Sequence, residues 1–340
     1  GAGFFPLFNR NKKSLALNLK TPEGKEAVLR LIATADIVCE NFKSGTMKKL
    51  GLDYETLKKL NPRLIYVSLK GFLPGPYEHR TALDEVVQMM GGLAYMTGRS
   101  GDPLRAGTSV NDIMGGMFGA IGAMAALAQR AQTGKGQEVQ SALFENNVVL
   151  VAQHMMQYQV TGQAAAPMPE RISAWAVYDV FVVKDGEQIF LAVVSDTAWK
   201  LFCEAFGYTD LFNDPKLTSN NDRVLAREWL LPNLRERLKN FSAQELSEVF
   251  EKNSLPYAPI TAPHELLDDP HLNATGGLAP MTLNDGRTID TVLLPLSMNQ
   301  GRLKVRQSAP NLGEHNENLL SSLGYNSEEI QKLSHPNEAA

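Results

Sequence analysis

Arg105-Ala-Gly-Thr-Ser-Val-Asn-Asp112-Ile-Met-Gly-Gly116 sets a single carboxylate at the foot of a long apolar segment. From Ile113 to Leu127 there is no charged residue, and Gly115, Gly119, Gly122, Ala123 and Ala126 leave room for a close neighbour. The pattern predicts a buried helix. A membrane span needs about 20 apolar residues, whereas this run ends in Gln129-Arg130 and breaks at Thr133-Gly-Lys-Gly136. Two roles are open to Asp112. As the N-cap, a position that it or Asn111 would fill, its short side chain would accept the free N–H groups of the first turn. As a nucleophile it would use the same helix end, which favours negative charge and keeps the carboxylate ionised.

Asp84, in Leu83-Asp84-Glu85, enters another apolar helix and is either the first-turn acid of that helix or a second carboxylate of a site. Lysines gather at Asn9-Arg-Asn-Lys-Lys13 and at Lys43, Lys48 and Lys49. They are solvated helix ends or, if brought together at strand ends, point charges suited to a phosphorylated ligand. No P-loop is present and no G-x-G-x-x-G follows a strand, so ATP and nicotinamide cofactors have no support. The six histidines contain no H-E-x-x-H pair and no cluster with cysteine, so no metal is expected, and His154 reads as an ordinary core or surface residue. A Ser-His-Asp hydrolase would lack its G-x-S-x-G elbow.

The elements that would position these groups alternate. Leu15, Leu17 and Leu19 read as a strand, Thr21-Pro22 opens a helix ending near Ala35, Asp36 to Glu40 is a short buried strand, two short helices fill Gly45 to Leu60, and Leu64-Ile-Tyr-Val-Ser-Leu69 is a further strand. Such alternation implies an α/β fold with a parallel, Rossmann-like sheet, whose ligands sit beyond the carboxyl ends of strands. Those ends carry Lys20, Asn41, Phe42 and Lys70. A helix from Ser141 to Tyr158 follows, and Gly162 to Pro169 reads as a linker. Beyond it, Ala176 to Val183 and Gln188 to Val193 form a hairpin signature, with helices at Thr197–Phe206, Asn221–Phe241 and Ala243–Asn253, which makes a smaller α+β domain. The expected division is a large domain over 1–165, a small one over 170–265, and a return segment over 266–340. A net charge of −4 without charged blocks argues against nucleic acid, and no signal peptide or membrane span is read. Cys39 and Cys203 read as core thiols of a cytoplasmic protein.

Asn9-Arg-Asn-Lys-Lys-Ser14, Lys20-Thr-Pro-Glu-Gly24, Glu40-Asn-Phe42, Asn61-Pro-Arg-Leu-Ile65, Thr133-Gly-Lys-Gly-Gln137, Pro256-Tyr-Ala-Pro259 and Leu312-Gly-Glu-His315, in this order, resemble the family III CoA-transferases (CaiB/BaiF family), which include formyl-CoA transferase and α-methylacyl-CoA racemase. The resemblance covers nearly the whole chain. It implies the family's two-domain fold, an interlocked homodimer, and coenzyme A and carboxylic acids as substrates. In the motif that Gly107-Thr-Ser-Val-Asn-Asp112 matches, the aspartate attacks an acyl-CoA to give an anhydride and then an aspartyl-CoA thioester, which passes CoA to an acceptor acid. By position, CoA contacts carry over to Leu17, Asn18, Leu19, Lys20, Asn41, Phe42, Lys49, Lys70 and Arg80, with Lys49 standing where a relative has Arg. Asp84 is implied as an acid behind the nucleophile.

The chain departs from the family pattern in three places. The opening strand, Gly-Pro turn and helix are not found and the chain begins without Met, so it is expected to be truncated. The Gly-rich loop of formyl-CoA transferase is missing. Leu83 stands where the racemases carry their catalytic histidine, which removes half of a two-base proton exchange. The expected activity is CoA transfer between acids, with a 2-methylacyl-CoA racemase or a non-catalytic CoA-binding subunit as alternatives.

Overall fold

The computed structural model describes residues 3–171, 173–299 and 301–334. The chain divides into two compact units, one formed by residues 1–171, 280–289 and 305–340, the other by 172–279 and 290–304. In the first unit α1 (Phe4–Asn9) and α2 (Pro22–Thr34) precede β1 (Ile37–Glu40), α3 (Thr46–Leu50), α4 (Tyr54–Leu60) and β2 (Ile65–Lys70). Then come α5 (Asp84–Met90), α6 (Leu93–Thr97), α7 (Val110–Thr133), β3 (Gln137–Ala142) and α8 (Leu143–Thr161). Helix α2 starts as its sequence dictates: the Thr21 hydroxyl accepts the Gly24 N–H at 3.2 Å, and Pro22 takes the position that needs no N–H.

The three strands form a parallel sheet in the order β1-β2-β3. Central β2 is buried at Ile65, Tyr66, Val67 and Ser68 in succession, the continuous pattern of a strand covered on both faces. Ile65 and Val67 pack with Ala123 and Ala126 of α7; Leu64 and Tyr66 pack with Ile32, Leu52 and Leu57. The glycines of α7 make this approach possible. A Cβ on Gly119 would lie 2.8 Å from Leu69, and one on Gly122 would lie 2.5 Å from Val139, so sheet side chains occupy the room the small residues leave. At the far end of α7, Arg130 donates to the Arg63 carbonyl at 2.8 Å and to the Asp36 carboxylate at 2.6 Å.

Several expectations are corrected. Helix α7 is not buried all round: Asn111, Gly115, Gly119, Ala123, Ala126 and Arg130 line one buried stripe, while Met117, Ile121 and Met124 are exposed. By length and composition it would pass for a membrane span, with a mean hydropathy of 1.3. The alternation at Leu15, Leu17 and Leu19 does not make a strand. Leu15 and Leu17 pack toward Ala27, Leu320 and Leu333, Leu19 toward the Leu57 cluster, and the side chain of Asn316 takes both the N–H and the C=O of Ala16, at 2.8 and 3.0 Å. Polar Gln137-Glu-Val-Gln140 is strand β3, an edge strand with alternating exposure. Strand β1 is also an edge, which leaves Ile37 and Cys39 exposed, whereas Cys203 is buried.

The second unit is an antiparallel sheet of β4 (Val177–Val182), β5 (Gln188–Val193) and β6 (Tyr257–Pro259), with Val177 opposite Val193 and Leu191 opposite Tyr257. Its helices are α9 (Asp196–Phe206), α10 (Thr209–Phe212), α11 (Asn220–Leu225), α12 (Arg227–Leu238) and α13 (Ala243–Lys252), so the long helix expected from 221 to 241 is divided at Ala226. Their core is Phe181, Ile189, Leu191, Phe202, Leu230, Leu234 and Phe250. Ser242 caps α13 reciprocally with Glu245. Residues 266–279 and 290–304 belong to this unit.

Candidate active site

Asp112 sits at the third position of α7. The N-cap is Ser109, which makes no side-chain cap bond, so the cap reading of Asp112 and Asn111 does not hold. The Asp112 side chain is exposed, and no described residue donates a hydrogen bond to its carboxylate. Enough protein still crowds it that burial, and after it the charge of Asp84, push its pKa above the ordinary carboxylate range. A carboxylate raised in this way is more basic, hence more nucleophilic, than one held by donors.

Asp84 opens α5 and is buried. One of its oxygens accepts the Asn111 N–H at 2.7 Å and the other accepts Gln88 Nε2 at 2.5 Å. Asn111 donates its side-chain amide to Asn147 Oδ1 of α8 at 3.1 Å. Asn111 Oδ1 and Asn147 Nδ2 are buried with no partner among the described residues. Three helices thus meet through amides and one carboxylate directly behind Asp112. Sequence reasoning missed Gln88 and Asn147. The i,i+4 spacing of Asp84 and Gln88 was the available signal.

A cleft of about 500 Å³ opens beyond the carboxyl ends of β1 and β2. Of the anticipated CoA contacts, Asn41, Phe42, Lys70 and Arg80 line it; Leu17, Asn18, Leu19, Lys20 and Lys49 do not. Leu17 and Leu19 turn into apolar clusters, while Lys20 and Lys49 are exposed. Lys43, Ser44 and His79 also line the cleft. Its far wall, residues 78–82, comes close because Gly71 has no side chain: a Cβ there would stand 2.2 Å from the Ala82 methyl. That wall is braced by a ring group of Phe72, Tyr77 and Phe144, and the Arg80 guanidinium lies 4.2 Å from the centre of the Tyr77 ring. Two residues past Ala82 the chain reaches Asp84, so cleft and carboxylate share one segment.

The floor of the cleft is held by Glu40, which was not singled out as a site residue. Its buried carboxylate accepts from Ser68 Oγ at 2.7 Å, Phe42 N at 2.9 Å and Lys70 Nζ at 2.7 Å. Lys70 also donates to the Phe42 carbonyl at 2.7 Å. A phosphate reaching Lys70 therefore meets an ammonium already paired with a carboxylate.

A family model, "CoA-transferase family III", matches residues 1–316. A succinate–glutarate CoA-transferase from Agrobacterium fabrum is 33% identical over 324 residues, covering 95% of this chain and 81% of its own. A succinyl-CoA:mesaconate CoA-transferase from Haloarcula marismortui is 34% identical over 331 residues, with coverage of 95% and 82%. The crystal structure of a CaiB/BaiF family protein from Brucella suis superposes with a TM-score of 0.84 at 34% identity, covering 94% of this chain and 83% of that one. With a matching family model, named CoA-transferases at this identity and a shared α/β fold, the chain belongs to CoA-transferase family III.

Proposed function

We propose that this CoA-transferase works through covalent catalysis by Asp112. The carboxylate attacks the carbonyl carbon of an acyl-CoA and CoA thiolate leaves, giving a mixed anhydride. The thiolate then attacks the Asp112 carbonyl, the donor acid departs as carboxylate, and an aspartyl-CoA thioester remains. The acceptor carboxylate repeats the sequence in reverse, takes CoA and frees Asp112. The reading rests on one observation: Asp112 is the exposed carboxylate at the start of α7, crowded by protein yet held by no hydrogen bond from the described residues. Leu83, exposed in front of Asp84, offers no base for the racemase alternative.

Relatives are named for succinate with glutarate, succinyl-CoA with mesaconate, and acetyl-CoA with oxalate, so a dicarboxylic acid is our choice for at least one partner. CoA would lie in the cleft of Asn41, Phe42, Lys43 and Arg80. The exposed apolar side of α7, with Met117, Ile121 and Met124, is in our reading covered by a second copy in an interlocked homodimer, and the two free thiols suit a cytoplasmic location. The test of the chemistry is to incubate the protein with succinyl-CoA, add hydroxylamine and map the modified residue by mass spectrometry. Hydroxamate at Asp112, and a loss of about a thousandfold or more in turnover for Asp112→Asn, are expected. Full turnover by Asp112→Asn would sink the proposal, and CoA binding without turnover on a broad acid panel would favour a non-catalytic subunit.

A further inference from the structure

The start of α7 is held by side chains of α5. Asp84 takes the Asn111 N–H at 2.7 Å, and Gln88 Oε1 takes the Ala106 N–H at 2.8 Å. Because that oxygen is committed to Ala106, the Gln88 amide must turn its Nε2 the other way, toward Asp84 at 2.5 Å and the Thr108 carbonyl at 3.5 Å. Gln88 is fully buried, so each of these bonds replaces one that water would have supplied. The position demands a side chain that accepts at one end and donates at the other. Both oxygens of Asp84 thus face N–H donors. Asp112 on α7 is charge-coupled to Asp84, whereas Glu85 on α5 and Arg105 in the loop are paired with each other and Glu145 of α8 accepts from Leu73 N–H.

We propose that Gln88 is a positioning residue for Asp112: it locks the Asp84 carboxylate and the backbone of 106–108 into one frame, and that frame fixes where the nucleophile's helix begins. The proposal rests on the reading of Asp112 as nucleophile. Its effect falls on the rate of covalent modification, since Gln88 is enclosed behind the helix and does not face the cleft lining.

The experiment is single-turnover acylation of Asp112 by succinyl-CoA in the full chain, because a first-order rate constant does not depend on how much of a variant is folded. Gln88→Leu is expected to slow acylation on the order of 10- to 100-fold, the penalty of a misplaced reacting group, with KM for the acyl-CoA within about twofold of wild type. Gln88→Glu supplies a readout that a merely structural role would not move. Two carboxyl groups at this spacing share a proton at low pH, so the substituted side chain then donates to Asp84 as the amide did, and the rate approaches wild type. As pH rises the proton is lost, the two charges repel, and the ratio of variant to wild-type rate falls. An unchanged acylation rate in Gln88→Leu, or a pH-independent ratio in Gln88→Glu, overturns the proposal. Asp112→Asn run alongside separates the two ideas: product formed by that variant defeats the nucleophile reading, whereas its inactivity together with normal Gln88→Leu acylation defeats only the positioning role.

Discussion

Glu40 offers the sharpest test of how the cleft is built. Replacing it with Gln keeps the shape but leaves one oxygen where there were two. In the native chain one oxygen accepts from Ser68 Oγ and Lys70 Nζ, the other from Phe42 N and Lys70 Nζ. An amide can keep one side of that arrangement, and its NH2 then faces a donor on the other. Lys70 is only 20% exposed and Glu40 4%, so solvent does little to make up the loss. One charged hydrogen bond is worth about 1.5–3 kcal/mol, which converts to a roughly 10- to 150-fold rise in the opening equilibrium of the β1–β2 end. Hydrogen–deuterium exchange at the amides of 65–70, followed by mass spectrometry, measures that opening directly. The β5 amides, which lie in the other unit, should not change and serve as the internal control. A rise of less than about threefold would mean that Glu40 does not hold the strand ends, and the account of the cleft floor would be wrong.

The pH behaviour of Asp112 follows from its surroundings. If Asp112 is the nucleophile, as proposed, catalysis needs its ionised form, so the acid limb of kcat/KM should lie above the ordinary carboxylate range through burial and Asp84, and Asp84→Asn should move that limb to lower pH; an unmoved limb contradicts the coupling. The stability effect has the opposite sign from that of a salt-bridged carboxylate. The folded state holds the Asp112 proton more tightly than the unfolded chain, so ionisation costs stability above the folded pKa and nothing below the unfolded one; Asp112→Asn should raise the melting temperature near neutral pH and leave it unchanged near pH ~3. Asn316→Ala removes both bonds to Ala16 and should cost about 1–3 kcal/mol, seen as faster proteolysis between residues 12 and 20; equal cleavage rates would refute the clamp. Ile121→Glu, on the exposed side of α7, should shift the protein to monomers in light scattering if a second copy covers that face, and an unchanged mass would move the interface elsewhere.

Local signals with a self-contained mechanism were legible in the sequence. Thr21-Pro22 starts a helix because its cap and its missing N–H need nothing from elsewhere, and the hairpin of β4 and β5 has its turn between its strands. The parallel sheet followed from alternation of elements, and the cleft followed from its position beyond strand ends. What escaped depended on partners distant in sequence. The leucines at 15, 17 and 19 alternate like a strand, but a side chain some 300 positions away supplies the hydrogen bonds that a neighbouring strand would have made. Strand β3 was hidden because its Gln137 and Glu138 look like loop, and only pairing with β2 gives them a ladder. The start of α7 was misread for the same reason: the Asn111 N–H is satisfied from α5, which no inspection of Ser109 to Asp112 can reveal.

Helix α7 is fastened at both ends, by Asp84 at its start and by Arg130, near its finish, to the backbone that leads into β2. Its 24 residues make a beam about 36 Å long. A beam clamped in this way resists sliding along the sheet, while the connection at 72–82 carries neither clamp. On the proposed reading of Asp112 as nucleophile, its carboxylate rides on that beam rather than on the cleft wall. Wall and beam join through Asp84, two residues past Ala82, so a change of cleft lining that leaves Asp84 in place is expected to leave the start of the helix in place.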